Sequence, residues 1–208
     1  MTLSLQRFMT FLAPVAAAVV LAGCLGGGAA RQAAGPQRYD LGALPAASGG
    51  QAPSHGPIAL SLDASPTLSE TGMLWRVADS AAPHAYAQAR WVSPPANLIR
   101  QRLVELLSRS GPVVTESVVA DVRQLRLTIT QFEQVFSPDG STSEGRIAMQ
   151  ALLLQDRKVI ASTRFDVSAP AATQDAEGGV QALRQALDKA ASELAYWIAV
   201  QGASARTK

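Results

Sequence analysis

The 208 residues contain a single cysteine, Cys24, and it stands directly behind an apolar run from Phe8 to Leu21. No intramolecular disulfide can form in such a chain, so whatever follows must fold on its hydrophobic core alone. Thiolate metal clusters are excluded for the same reason. The run is preceded by one basic side chain, Arg7, contains Pro14, and passes into Gly26, Gly27 and Gly28 without a basic stop signal. A membrane-spanning helix needs about 20 apolar residues, and this segment is shorter. It reads as a secretory leader over residues 1–23.

The tetrapeptide Leu21-Ala22-Gly23-Cys24 resembles a lipobox, in which small residues fit a lipoprotein signal peptidase and the cysteine takes a diacylglyceryl group. Cleavage before Cys24 is then expected, with an S-diacylglyceryl and N-acyl cysteine as the new N-terminus. That would be a covalent lipid, and no other cofactor is called for. Removing Arg7 with the leader leaves 17 basic against 16 acidic side chains. So even a balance offers no basic footprint for nucleic acid.

Residues 24–56 are dominated by Gly, Ala, Pro, Ser and Gln and read as a flexible tether, interrupted by one strand-like island, Tyr39-Asp40-Leu41. The 34 positions from Cys24 to Ile58 would span about 30 Å as a coil. His55 is expected to be solvated there. A single domain is expected over residues 57–201, followed by a polar tail over 202–208.

Within that domain, Ile58-Ala59-Leu60-Ser61-Leu62 and Met73 to Val77 alternate as strands. Ser93-Pro94-Pro95 predicts a helix start with Ser93 as N-cap. Leu98, Ile99, Leu103, Leu106 and Leu107 then give its apolar stripe, with Arg100, Gln101, Arg102, Glu105 and Ser108 on a polar side. Val122 to Phe136 alternates through Leu125, Leu127 and Ile129, but Phe132 falls on the other parity, which predicts a bulge near Gln131. Ser137-Pro138-Asp139-Gly140 reverses the chain into a strand over about 145–154. After the turn at residues 155–158, Val159, Ala161, Thr163, Phe165 and Val167 are expected to share a face. Val180, Leu183, Leu187, Leu194 and Ile198 mark a long amphipathic helix, with Gln181, Arg184, Asp188 and Lys189 outside and an end at Gly202. From Ile58 to Val200 the pattern reads as one sheet, with a three-strand antiparallel meander in it, and helices covering a face.

Chemistry is sparse. No Gly-x-Ser-x-Gly, phosphate-cradling glycine loop or His-Glu-x-x-His occurs, and His55 and His84 have no carboxylate pattern beside them. Asp121, Glu133, Glu144, Asp156 and Asp166 are expected to be solvated, and neither an enzyme nor a metal site is expected. Trp75, Tyr86, Trp91, Tyr196 and Trp197 either pack in the core and at helix ends or line a partner-facing groove. Tyr86, Trp91 and Trp197 are the candidates for such a partner or ligand surface.

The order of these features, with Tyr39-x-Leu41, Ile58-x-Leu60-x-Leu62, Tyr86, Arg90-Trp91 and Pro94-Pro95 before Leu98-Ile99, resembles the ABC-type transport auxiliary lipoproteins, the PqiC-like family. The likeness continues to the last helix, with Ala182-Leu183, Ala186-Leu187 and Tyr196-Trp197-Ile198. The resemblance implies a fold of the α/β class, α+β type, with a mixed, largely antiparallel sheet and two amphipathic helices packed on it, in a lipid-anchored accessory subunit facing the periplasm. It would work with MCE-domain (mammalian cell entry) proteins and ABC transporter subunits that move phospholipid between membranes, and it allows assembly into homo-oligomeric rings. Leu25, rather than aspartate, after the lipidated cysteine implies the outer membrane. The alternative is a lipoprotein scaffold of another envelope machine, in lipopolysaccharide or outer-membrane protein assembly, secretion or efflux.

Overall fold

The computed structural model describes residues 35–46, 54–115 and 122–204; the expected leader, Cys24, Asp121 and the last four residues lie outside the described residues. In chain order the elements are β1 (Gln37–Tyr39), β2 (Ile58–Ala64), a 3-10 turn (Pro66–Leu68), β3 (Gly72–Val77), β4 (His84–Trp91), α1 (Pro95–Leu107), β5 (Val113–Val114), β6 (Arg123–Phe136), β7 (Ser143–Gln155), β8 (Lys158–Pro170) and α2 (Ala176–Ser204).

β6, β7 and β8 form the expected antiparallel meander, and they are the backbone of an eight-stranded mixed sheet. Most of its paired length is antiparallel, although four of the strand pairs run parallel. The far side of β6 is shared. β2 lies parallel to its first half, from Arg123 to Ile129, and β3 lies parallel to its end, from Gln134 to Phe136. The fork falls at the bulge, where the β6–β7 register shifts between Ile129 and Gln131. There the Ser65 amide donates to the Ile129 carbonyl at 2.9 Å as the chain leaves β2, so the rest of the β6 edge is free for β3. β4 and then β1 continue the sheet beyond β3, and β5 pairs with β2.

The two hairpin turns follow local chemistry. Gly140 takes φ +69 in the first. Asp139 accepts hydrogen bonds there from the Ser137 hydroxyl and from the Ser141 amide and hydroxyl, which pulls its carboxyl down to about 2. The second is a two-residue turn in which Asp156 and Arg157 both have positive φ, the conformation that matches the twist of the flanking strands.

Both helices lie on one face. Leu125, Leu127, Ile129 and Phe132 of β6 and Ile147, Met149, Ala151 and Leu153 of β7 meet Ile99, Leu103 and Leu107 of α1 and Leu183, Leu187, Leu194 and Ile198 of α2 in one core. α2 runs close to β7. A Cβ on Gly145 would come within 2.3 Å of the Leu183 amide nitrogen, so only glycine permits this approach.

Several expectations are corrected. The 24–56 tether is not free throughout: Gln37–Tyr39 pairs with Ala89–Trp91, and Leu41 is buried. His55 is buried rather than solvated, its ring nitrogens 2.8 Å from the Gly56 carbonyl oxygen and 3.2 Å from that of Leu107. Pro94, not Ser93, is the N-cap of α1, and no side chain caps it. α2 starts at Ala176, a turn before Val180, because Asp175 caps it by accepting from the Gly178 amide at 2.8 Å. Gly202 does not end that helix, which continues to Ser204. Val159 leaves the face of Ala161, Thr163, Phe165 and Val167 because a second bulge intervenes: Leu153 pairs with Ala161 but Leu154 with Val159.

Candidate functional site

Two features stand out, one joining the helices to the N-terminal segment and one at the start of α2. In the first, α1 carries Arg102 and α2 carries Asp188, both assigned to solvated helix faces by their sequence context. The structure corrects that. Arg102 is 4% exposed, and its Nε and Nη2 donate to the two Asp188 carboxylate oxygens at 2.6 and 2.9 Å. Its Nη1 donates to the carbonyls of Leu41 and Gly42, both at 3.0 Å, and Nη2 reaches Ala43 at 3.3 Å. A planar guanidinium with five donors suits this many convergent acceptors; lysine would not.

The clasped backbone is shaped to be held. Asp40 accepts from the Gly42 amide at 2.7 Å, and Gly42 adopts φ +63, a conformation natural to glycine. Leu41 enters the core, and Arg109 donates to the Pro45 carbonyl at 2.9 Å. Arg102 thus joins residues 41–43 to both helices.

The second feature is aromatic. Trp75 stacks on His84 with ring centroids 4.6 Å apart, meets the Phe136 ring edge-on at 5.6 Å, and lies 6.2 Å from Tyr86. Trp75, Tyr86 and Phe136 are half-buried and His84 is exposed. Tyr86 donates to Gln134 Oε1 at 2.9 Å, Gln134 donates to the Ser143 hydroxyl at 2.8 Å, and that hydroxyl donates to Gln174 Oε1 at 2.6 Å. This chain of polar groups, with Gln134 fully buried, ties β4, β6 and β7 to the residue before the α2 cap. Burial pushes the Tyr86 phenol up to about 12, and the Asp175 charge adds to it. Tyr39 is also raised, first by desolvation and then by Glu177 and Asp175. The cluster therefore offers partly open rings beside a negatively charged helix start.

The three aromatic candidates do not converge. Trp91 is 1% exposed and packs on Phe132 at 5.8 Å, so it is core. Trp197 is half-buried, edge-on to Phe165 at 6.4 Å, beside Tyr196, which is 64% exposed. A helix rises 1.5 Å per residue, which puts Trp197 roughly 30 Å along α2 from its start, where Tyr86 lies. Only Tyr86 sits in a cluster of rings.

Glu133 was expected to be solvated and is 2% exposed instead, 2.6 Å from Arg76 Nε and accepting from Gln131 Nε2 at 2.7 Å. Glu144 pairs with Arg146, and Asp166 with Arg164. Among the described residues no group of histidine, cysteine or carboxylate side chains is placed to hold a metal ion. A concavity of about 400 Å³ between β2 and β6 is lined by Ser61, Asp63, Gln124 and Arg126 on the uncovered sheet face. Among the described residues, no helix is long and apolar enough to cross a membrane.

A model of the family described as "ABC-type transport auxiliary lipoprotein component" matches residues 39–195, from the end of β1 into the last turns of α2. The chain belongs to this family. Its fold recurs in crystal structures. Protein XCC0632 from Xanthomonas campestris is 22% identical, with a TM-score of 0.65 over 84% of this chain and 98% of that one. A second, of an uncharacterized protein, is 18% identical, with a TM-score of 0.63 over 79% of this chain and 99% of that one. No curated protein matches. In this auxiliary lipoprotein the family match includes Arg102, Asp188 and the whole aromatic cluster.

Proposed function

We propose that this chain is a periplasm-facing accessory subunit of an ABC transport system of the MCE type that moves phospholipid between membranes. It would be held by acyl chains on Cys24 and would act by binding rather than by catalysis. The family match over residues 39–195 carries this reading, since it spans nearly the whole folded unit. The clasp supports it: 12 residues separate Cys24 from β1, which as a coil would span about 20 Å. Several acyl chains anchor stably where one does not, and a short reach raises the effective concentration of a membrane-bound partner. Leu25 favours outer-membrane attachment.

The surface proposed to meet the MCE-domain partner is the Trp75, His84 and Tyr86 cluster, because half-open aromatic rings are the groups that most often anchor an interface. Two experiments test the proposal. Cys24→Ser should abolish acyl labelling and release the protein from membranes; unchanged membrane retention would count against the anchor. The purified chain should bind the candidate MCE-domain protein, with Trp75→Ala weakening binding at least about tenfold. No binding by the unaltered chain would defeat the partner assignment.

A further inference from the structure

β8 is an open edge: among the described residues it pairs with β7 on one side and with no strand on the other. Long uncovered edges invite pairing with another chain, and proteins blunt them with lysine, bulges and proline. β8 has all three, but only at its ends: Lys158 and the bulge at Ile160 at one, Pro170 at the other. Between them Ala161 to Ala169 is regular, each residue from Ala161 to Pro170 following its β7 partner without a shift.

That segment is self-complementary about its centre: Ala161-Ser162-Thr163-Arg164-Phe165-Asp166-Val167-Ser168-Ala169. About Phe165, alanine answers alanine, serine answers serine, threonine answers its isostere valine, and arginine answers aspartate. In an antiparallel pair related by a two-fold axis at Phe165, Arg164 of each copy faces Asp166 of the other. Ser162 likewise faces Ser168, Thr163 faces Val167, and the two Phe165 rings meet. Arg164 and Asp166 are exposed, 62% and 55%, and lie on one face, 2.8 Å apart within the strand, so pairing would extend each ion pair into an alternating square of four charges. Opposite charges directly across a ladder attract, and like charges repel. A parallel in-register stack would set arginine on arginine and aspartate on aspartate, so the order of charges selects the two-fold arrangement. Each copy has one such edge, and the pair closes at two.

We propose that β8 is a self-association edge, and that its occupant is β8 of a second copy, antiparallel about Phe165. This is independent of the transport reading. The test is charge exchange on the full chain, extracted in detergent and followed by sedimentation over a range of concentrations. The unaltered chain should dimerise. Arg164→Asp and Asp166→Arg should each set like charges opposite one another and raise the dissociation constant at least about tenfold. An equimolar mixture of the two single variants should dimerise again, because every facing pair is then complementary, and so should the double exchange. Circular dichroism checks that each variant is folded. Should either fail to fold, Ser162→Cys in one tagged copy and Ser168→Cys in another should form an intermolecular disulfide under mild oxidation. A monomer at all concentrations, a dimer indifferent to both single exchanges, a mixture that stays monomeric, or no such disulfide would overturn the proposal.

Discussion

Replacing Arg102 by methionine keeps much of the side-chain volume while removing every hydrogen bond of the clasp. Asp188, whose side chain is 22% exposed, would lose its partner, and the carbonyls of Leu41, Gly42 and Ala43 would lose their donor. Breaking a buried ion pair by removing one member costs about 3–5 kcal/mol, mostly from the charge left behind. Asp188 retains some water, so the lower end, about 3 kcal/mol, is the expected loss. For a domain of this size each kcal/mol moves Tm by about 2–4 °C, which gives a fall of about 10 °C. Urea denaturation of the unaltered chain, Arg102→Met, Asp188→Leu and the double variant provides the assay. The double variant should be more stable than Arg102→Met by at least about 1 kcal/mol, because the orphaned carboxylate is gone. Limited proteolysis should cut residues 36–46 in Arg102→Met and spare them in the unaltered chain. A loss below about 1 kcal/mol, or continued protection of that segment, would show that Arg102 does not hold it.

Tyr86 gives a pH prediction. Its phenol is neutral in both states below the ordinary value of 10.0; above it the unfolded chain ionises first, so stability falls as pH rises toward about 12 and then levels. Tyr86→Phe should remove that part of the alkaline decline in urea midpoints. Asp175→Ala should cost about 1 kcal/mol through loss of the α2 cap, whereas Asp175→Asn should cost much less, both read from thermal unfolding. Gly145→Ala should destabilise by about 1–3 kcal/mol by pushing the α2 backbone away from β7, a change that near-ultraviolet circular dichroism would also register.

The meander, both helices and the β6 bulge were legible in the sequence because alternation and helical spacing report directly on which side is buried. The Phe132 parity break located the bulge within a residue. β4 was not legible: in His84-Ala85-Tyr86-Ala87-Gln88-Ala89-Arg90-Trp91 the apolar positions are mostly alanine, whose small side chain gives little contrast. The clasp was hidden for a different reason. A charged residue on a helix is usually solvated, and only the meeting of α1, α2 and residues 41–43, far apart in sequence, buries Arg102. The one available signal for the docked segment was Tyr39-x-Leu41, too short to stand alone. Of the aromatic candidates, Trp91 resolved into core and Tyr86 into a cluster, because exposure depends on long-range packing that a local pattern does not encode.

The protein is proposed to work beside a transporter. The most direct measurement is affinity purification of the full, tagged chain from detergent-solubilised native envelopes, followed by mass spectrometry of what comes with it. Recovery of an MCE-domain protein together with the ATPase and permease of an ABC system, reduced when Trp75 is replaced by alanine, is the predicted result. Recovery of assembly, secretion or efflux components in their place would contradict it.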